Sequence, residues 1–128
     1  MEEGRLANKV AVITGGGNGI GRATALLFAK QGASIVVADI QEDKAEETSQ
    51  MITDAGGQSI PIRVDVTSGA DNELMANLAV DSFGGLDCLV TAAGISHANY
   101  VSGDIEPDIK NVVANRADYL ERPGWEFV

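Results

Sequence analysis

Thr14-Gly15-Gly16-Gly17-Asn18-Gly19-Ile20-Gly21 stands between a short apolar run and a segment of helical length. Glycine adopts positive φ and lets a ligand approach where a Cβ would clash, and the amides and dipole of the following helix favour a pyrophosphate. The spacing is T-G-x-x-x-G-x-G, through Gly15, Gly19 and Gly21, and not G-x-G-x-x-G. The stretch predicts a strand–turn–helix unit that binds a dinucleotide. A glycine-rich turn without a ligand is the alternative that the motif alone leaves open.

An acid at the end of the next apolar run adds to this prediction. Asp39 follows Gly15 by 24 residues, close to the ~20 at which an acid meets the adenosine ribose hydroxyls. A 2′-phosphate about 4 Å from this carboxylate would be repelled by on the order of 4 kcal/mol at an effective dielectric constant of ~20. We therefore expect NAD in preference to NADP, with Arg22 as a cation beside the loop. Taken alone, Asp39 also fits a solvated strand end.

Short apolar runs alternate with longer amphipathic segments along the chain. The runs predict strands at 10–13, 35–38, 60–66 and 86–90, and the segments between them predict helices at 19–31, 41–55 and 68–83. Nearly continuous apolar strands are typical of a parallel sheet covered on both faces. The expected fold class is α/β, a doubly wound parallel sheet that forms a partial Rossmann fold of about four strands in the order 3-2-1-4.

The apolar spacing also predicts which helix faces meet the sheet. A capping-box-like start pairs Ser68 with Asp71 in the third helix. The residues at helical spacing are Ala23, Leu26, Leu27 and Lys30 in the first helix; Ala45, Met51 and Ile52 form the apolar stripe of the second, an exposed covering helix; and Leu74, Leu78 and Ala79 lie on one face of the third.

Composition limits the classes of function. The 128 residues include 9 Lys+Arg and 19 Asp+Glu, for a net charge of −10, and 45% are hydrophobic. This size supports one domain with its own core, and the acidity disfavours nucleic acid and anionic membranes as partners. The apolar runs are far shorter than the ~20 residues of a membrane span, and no signal peptide is recognisable. Cys88 is the only cysteine, so we expect a cytoplasmic protein without a disulfide or a metal site.

These motifs resemble, in the same order, those of the classical short-chain dehydrogenase/reductase family over about residues 7–117. The resemblance implies NAD binding and hydride transfer between an alcohol and a ketone. Thr91 stands where the family has the Asn of its Asn-Ala-Ala-Gly motif. The cofactor-binding residues it implies are Gly15, Gly17, Asn18, Gly19, Ile20, Gly21, Asp39, Ile40, Asp65, Val66, Ala92, Ala93 and Gly94, with Asp65 and Val66 at the adenine ring.

Of the family's catalytic positions, the resemblance places only one, Asn115, in this chain. The family also uses a Ser on the next strand and a Tyr four residues before a Lys, because a nearby cation favours the phenolate. Here Tyr100 is followed four places on by Asp104, and Tyr119 by Pro123. We therefore expect that the chain is truncated and inactive alone. The alternatives are a non-catalytic fragment that binds NAD or a partner, and a fragment that does not stay folded.

The last stretch of the chain departs from the family. The expected organisation is a truncated dinucleotide-binding domain at 1–118 and an unrelated tail at 119–128. Ser96, His97 and Tyr100 follow the fourth strand, where they fit a polar loop better than a catalytic group. The substrate is an unspecified alcohol or ketone if the protein is longer, and a homo- or hetero-oligomer is expected through the open sheet edge. Within the family, the first hundred residues resemble the subgroup that includes secoisolariciresinol dehydrogenase.

Overall fold

Parallel strands alternate with helices in the computed structural model, which describes residues 4–94. The elements in chain order are β1 Val10–Thr14, α1 Gly19–Lys30, β2 Ser34–Asp39, α2 Glu42–Asp54, β3 Gln58–Arg63, α3 Gly69–Phe83 and β4 Cys88–Thr91. Each predicted strand and helix is present, with bounds that differ by a few residues.

The strands form one parallel sheet in the order β3-β2-β1-β4. Val12 at the centre of β1 is in register with Val36 of β2 on one side and with Leu89 of β4 on the other. The predicted order 3-2-1-4 and the doubly wound α/β class are therefore confirmed. The chain adds β2 and β3 on one side of β1 and then crosses to the other side to form β4. The turn between β1 and α1 therefore lies at the point where the strand order switches, which is where such sheets bind ligands.

The core lies on both faces of the sheet because successive side chains of a strand point to opposite faces. Ala11 and Ile13 of β1 belong to the cluster that α1 and α2 cover. Val10 and Val12 belong to the cluster that α3 covers. Every residue of β1 is buried, which explains its uninterrupted apolar run.

β4 is one of the two edges of the sheet within residues 4–94, and its exposure alternates along the strand. The Leu89 side chain is 57% exposed, as the predicted apolar edge requires. Asp87 fastens the start of β4 to β1: its amide donates to the Val10 carbonyl at 2.9 Å, and its Oδ2 accepts from the Val10 amide at 2.8 Å.

The helix faces that pack on the sheet differ in part from the predicted faces. The predicted residues that turn out to be exposed are Ala23, Leu27, Lys30, Met51 and Leu74. The buried residues that the spacing missed are Gly21, Ala25, Thr48, Ser49 and Met75.

Two physical reasons account for these corrections. Gly21 packs against the loop that precedes α1, so the inward face continues one turn later at Ala25 and the larger Leu27 turns outward. In α2 the buried hydroxyls of Thr48 and Ser49 have hydrogen-bond partners, to Gly16 and Ser59 respectively, which removes the cost of burying them.

The third strand is also displaced from its prediction. β3 ends at Arg63, and a turn rather than a strand occupies the following residues.

None of the helices described by the structure, α1 to α3, has the length and apolar character needed to cross a bilayer.

Candidate functional site

The predicted cofactor residues lie at one edge of the sheet. They occupy the segments that follow the carboxyl ends of the four strands, at 15–21, 39–40, 65–66 and 92–94. Because the strands are parallel, these segments share the same edge, which is where open α/β sheets bind their ligands.

The loop after β1 packs so tightly that only glycine fits at two of its positions. Gly15 has φ of +67°, and a Cβ there would lie 2.6 Å from the amide nitrogen of Ala93. A Cβ on Gly21 would clash with the Gly15 carbonyl oxygen and lie 2.6 Å from its carbon. These contacts fold the loop against both β4 and the first turn of α1.

The start of α1 leaves its backbone donors free. Asn18 is the N-cap, but its side chain makes no capping hydrogen bond, and no acidic residue stands in the first turn. The first intrahelical bond runs from the Arg22 amide to the Asn18 carbonyl at 3.1 Å, so the amides of residues 19–21 have no intrahelical acceptor. Gly19 has φ of +53° with no atom within 4 Å of a Cβ position. This open, electropositive helix end fits a pyrophosphate group.

The Asp39 carboxylate lies against the same loop. Its Oδ2 accepts a hydrogen bond from the Gly17 amide at 2.9 Å, and its Oδ1 accepts from the Gln41 amide at 2.9 Å. The structure thus brings together two residues that lie 22 positions apart in the sequence. A carboxylate oxygen has more than one acceptor site, so both oxygens can also accept from ribose hydroxyls.

The turn after β3 holds Asp65 in a defined orientation. Its Oδ1 accepts from the Thr67 hydroxyl at 2.6 Å and from the Thr67 amide at 2.9 Å. The hydroxyl bond and then the amide bond lower the pKa of Asp65 below its usual value of 3.8, and Arg63 adds a smaller effect in the same direction against the effect of desolvation. The lowered pKa keeps this carboxylate charged at neutral pH. Val66, the next residue, is exposed beside it at the predicted adenine site.

The end of β4 is joined to the end of β1. The Ala92 amide donates to the Thr14 carbonyl at 3.1 Å, and the Ala93 amide donates to the Thr14 hydroxyl at 3.4 Å. Ala93 and Gly94 are exposed at the sheet edge. Thr14 therefore fixes the approach of the fourth predicted segment, 92–94, to the glycine loop.

An apolar cavity of about 450 Å³ opens beside this edge, between α3 and the β1–β4 pair. Its lining includes Thr14, Val66 and Ala93 of the candidate site, together with Met75 and Leu89. The glycines of the loop do not line it. The cavity borders the candidate site and is not the pyrophosphate position.

Arg22, the expected cation beside the loop, is paired with α2. Its Nη1 pairs with Glu47 Oε1 at 3.1 Å, and its Nε donates to the Thr48 hydroxyl at 2.9 Å. The guanidinium is thus held by α2. Thr48 in turn donates to the Gly16 carbonyl at 2.8 Å, a contact that sequence reasoning missed because nothing marks a threonine in a helix as the partner of a loop 32 residues earlier.

Several predicted residues lie outside the described part of the chain. They are Ser96, His97, Tyr100 and Asn115, and the predicted boundary between 118 and 119 lies there too. Among residues 4–94, no group of three or more His, Cys, Asp or Glu is placed to hold a metal ion.

The sequence matches a known protein family over most of its length. A family model described as short chain dehydrogenase matches residues 9–115. The 2,5-dichloro-2,5-cyclohexadiene-1,4-diol dehydrogenase LinX of Sphingobium indicum is 42% identical over 113 residues, which make up 88% of this chain and 45% of that protein.

Two solved structures share the fold. The structure of 7α-hydroxysteroid dehydrogenase complexed with NADH and 7-oxo glycochenodeoxycholic acid is 42% identical, with a TM-score of 0.65, and the match covers 66% of this chain and 33% of that one. A short chain dehydrogenase/reductase from Burkholderia phymatum in complex with NAD is 39% identical, with a TM-score of 0.64, and the match covers 70% of this chain and 31% of that one. The chain thus spans less than half the length of these relatives.

Proposed function

Because this chain belongs to the short-chain dehydrogenase family, we propose that it binds a nicotinamide adenine dinucleotide at the carboxyl edge of its sheet and prefers NAD to NADP. One observation carries the proposal: the uncapped start of α1 stands beside a carboxylate, Asp39, that accepts a hydrogen bond from the same loop. A donor-rich helix end suits the pyrophosphate, and an adjacent anion suits ribose hydroxyls but repels a 2′-phosphate.

Each predicted segment has a part in this proposal. The free amides of residues 19–21 bind the pyrophosphate, and Gly17 keeps its bond to Asp39. Asp39 accepts from the ribose hydroxyls, with Ile40 beside it. Asp65 and Val66 bind the adenine ring, and residues 92–94 border the cofactor at the end of β4. The complexes of two relatives, one with NADH and one with NAD, support this assignment.

The substrate class follows from the family and from the names of the relatives. Bound NAD supplies a hydride acceptor, so the whole protein would oxidise an alcohol or, in reverse, reduce a ketone. Relatives named for a diol and for a hydroxysteroid support an alcohol. For the 128-residue chain we propose less: residues 1–118 bind NAD, and residues 119–128 are a tail. The chain does not turn over substrate, because its sequence has Asn115 but no Tyr-x-x-x-Lys pair.

Isothermal titration with NAD and with NADP tests the proposal. We expect the unmodified chain to bind NAD more tightly, and Asp39→Asn to reduce the ratio of the two affinities by about tenfold, equivalent to about 1.4 kcal/mol, because the substitution removes the charge while retaining an acceptor for Gly17. Asp43→Asn is the matched control, since it removes one exposed charge from the first turn of α2.

Two results would contradict the proposal. If the unmodified chain binds neither dinucleotide, the cofactor assignment is wrong. If it binds NAD and NADP equally, or if the Asp39 and Asp43 variants change the ratio by the same amount, the assignment of selectivity to Asp39 is wrong.

A further inference from the structure

One peptide group of the glycine loop is held at both ends. The carbonyl oxygen of Gly16 accepts from the Thr48 hydroxyl at 2.8 Å, and the amide of Gly17 donates to Asp39 Oδ2 at 2.9 Å. These two atoms belong to the same planar, trans peptide unit, so they point in opposite directions. The orientation of this peptide plane is therefore set jointly by Thr48 and Asp39.

The direction of the Thr48 hydroxyl is itself fixed. The hydroxyl has one hydrogen to donate, and the Arg22 Nε–H already occupies an acceptor position on its oxygen at 2.9 Å. The hydrogen consequently points to Gly16. Glu47 holds the Arg22 guanidinium at 3.1 Å, and the Thr48 side chain has no exposed surface.

We propose that Thr48 is a positioning residue for cofactor selection, because its hydroxyl fixes the Gly16–Gly17 peptide and thereby the orientation of the Asp39 carboxylate. The inference rests on the proposed function and extends it to a residue outside the loops that surround the cofactor site. Without the Thr48 bond, the peptide keeps only the bond from the Gly17 amide to Asp39, and the glycines on either side give it access to other orientations. In those orientations the Gly17 amide no longer meets Asp39 Oδ2.

The close packing around Gly17 links this rotation to the carboxylate. A Cβ on Gly17 would lie 2.7 Å from Asp39 Oδ2 and 2.6 Å from the Cβ of Lys44. The loop thus passes between the start of α2 and the acid. Rotation of the peptide moves the Gly17 amide away from Asp39 Oδ2. Only the bond from the Gln41 amide to Oδ1 then orients the carboxylate.

Two substitutions at Thr48 separate positioning from packing. Thr48→Val keeps the shape of the side chain and removes the hydroxyl, whereas Thr48→Ser keeps the hydroxyl and removes a methyl group. A packing role would make Ser the more damaging substitution. Thr53→Val is the control, because the Thr53 hydroxyl lies on the same helix and bonds only to the Ser49 carbonyl, at 3.1 Å.

The experiment measures NAD and NADP affinity by titration calorimetry for the full 128-residue chain and these three variants, together with hydrogen exchange of the Gly17 amide without ligand. We expect Thr48→Val to weaken NAD binding by about fivefold to tenfold, as for a buried carbonyl left without its donor. We also expect it to narrow the NAD-to-NADP ratio and to accelerate Gly17 exchange. Thr48→Ser and Thr53→Val should stay within about twofold of the unmodified chain in each measurement.

The outcomes distinguish this inference from the proposed function. If the unmodified chain binds NAD but Thr48→Val keeps the same ratio, or if Thr48→Ser loses as much as Thr48→Val, the inference is overturned and the cofactor assignment stands. If no dinucleotide binds, the proposed function and the selection role fail together. If Thr48→Val does not fold, Thr48→Ser decides alone: a retained ratio and a protected Gly17 amide support the role of the hydroxyl, and their loss overturns it.

Discussion

The starts of α1 and α3 both follow a strand at the same edge of the sheet, but they treat their backbone donors in opposite ways. In α3 the Ser68 hydroxyl accepts from the Asp71 amide at 3.2 Å, and Asp71 places a carboxylate in the first turn. In α1 the N-cap Asn18 makes no such bond and the first turn has no acid. The protein's own side chains thus partner backbone amides at the start of α3, whereas the amides at the start of α1 stay available to an anion from outside.

The difference extends to the loop before each helix. Asp71 Oδ2 also accepts from the Asp65 amide at 3.0 Å, so the α3 side is closed by its own side chains. On the α1 side, glycines occupy the positions that side chains would fill, and the one nearby acid, Asp39, is engaged with Gly17. A binding site can thus be recognised by groups that the protein itself leaves without partners.

The largest expected effect comes from adding one methyl group at each helix start. Gly21→Ala should abolish NAD binding and lower the free energy of unfolding by about 2–3 kcal/mol, because the new Cβ meets the backbone of Gly15, which cannot move without disrupting β1 and β4. Gly69→Ala should raise the free energy of unfolding by about 0.5 kcal/mol, since no atom lies within 4 Å of its Cβ position. Urea denaturation and calorimetric titration measure both.

Equal behaviour of these two alanine variants would contradict the difference between α1 and α3. It would mean that the loop before α1 has room to shift, and that the close contact of Gly21 with Gly15 does not shape the site.

A smaller effect is expected when α1 is given the acid that α3 has. Asn18→Asp should raise the free energy of unfolding by about 0.5 kcal/mol through the helix dipole. The same change should weaken NAD binding by about tenfold, equivalent to about 1.4 kcal/mol, because the carboxylate competes with the pyrophosphate for the same amides. Ser68→Asp is the matched control: it adds the same charge at the N-cap of α3 and should leave NAD affinity within twofold. A similar loss of affinity in both variants would show that net charge, and not the start of α1, decides.

Sequence patterns were sufficient where the physics is local. The glycine spacing at 14–21, the apolar runs and the Ser68 cap each depend on neighbours in the chain, and they predict the four strands and the three helices that the structure has. The strand order follows instead from the topology rules of doubly wound sheets. The patterns failed where a distant contact decides the outcome. Leu74 was expected to face the sheet because apolar spacing does not distinguish it from Met75, and it is exposed.

The same limit applies to the candidate site. Asp39 stands out because an acid at its spacing has a known use in dinucleotide binding. Thr48 does not, since its hydroxyl meets Gly16 only after α2 has packed beside the loop. The predicted subgroup within the family, and the part played by Asn115, stay predictions.

The smallest expected effect lies on the α3 side and concerns protonation. The Thr67 hydroxyl is the largest cause of the lowered pKa of Asp65, so Thr67→Val should raise that pKa toward 3.8 while the Thr67 amide keeps it below that value. A folded-state pKa below the unfolded one stabilises the protein at pH values above 3.8, and this contribution disappears as the pH falls through the folded pKa. The variant should therefore have a lower free energy of unfolding than the unmodified chain at neutral pH, and the two values should converge in acid.

Carboxyl NMR titration of Asp65 measures the shift directly, and Thr53→Val supplies the control, since that hydroxyl does not contact Asp65. The effect on stability is small because solvent screens a partly exposed carboxylate. An unchanged pKa of Asp65 in Thr67→Val would show that the amide alone orients the turn. In that case the α3 side would be closed by its backbone and by Asp71, and the contrast with the open start of α1 would rest on capping alone.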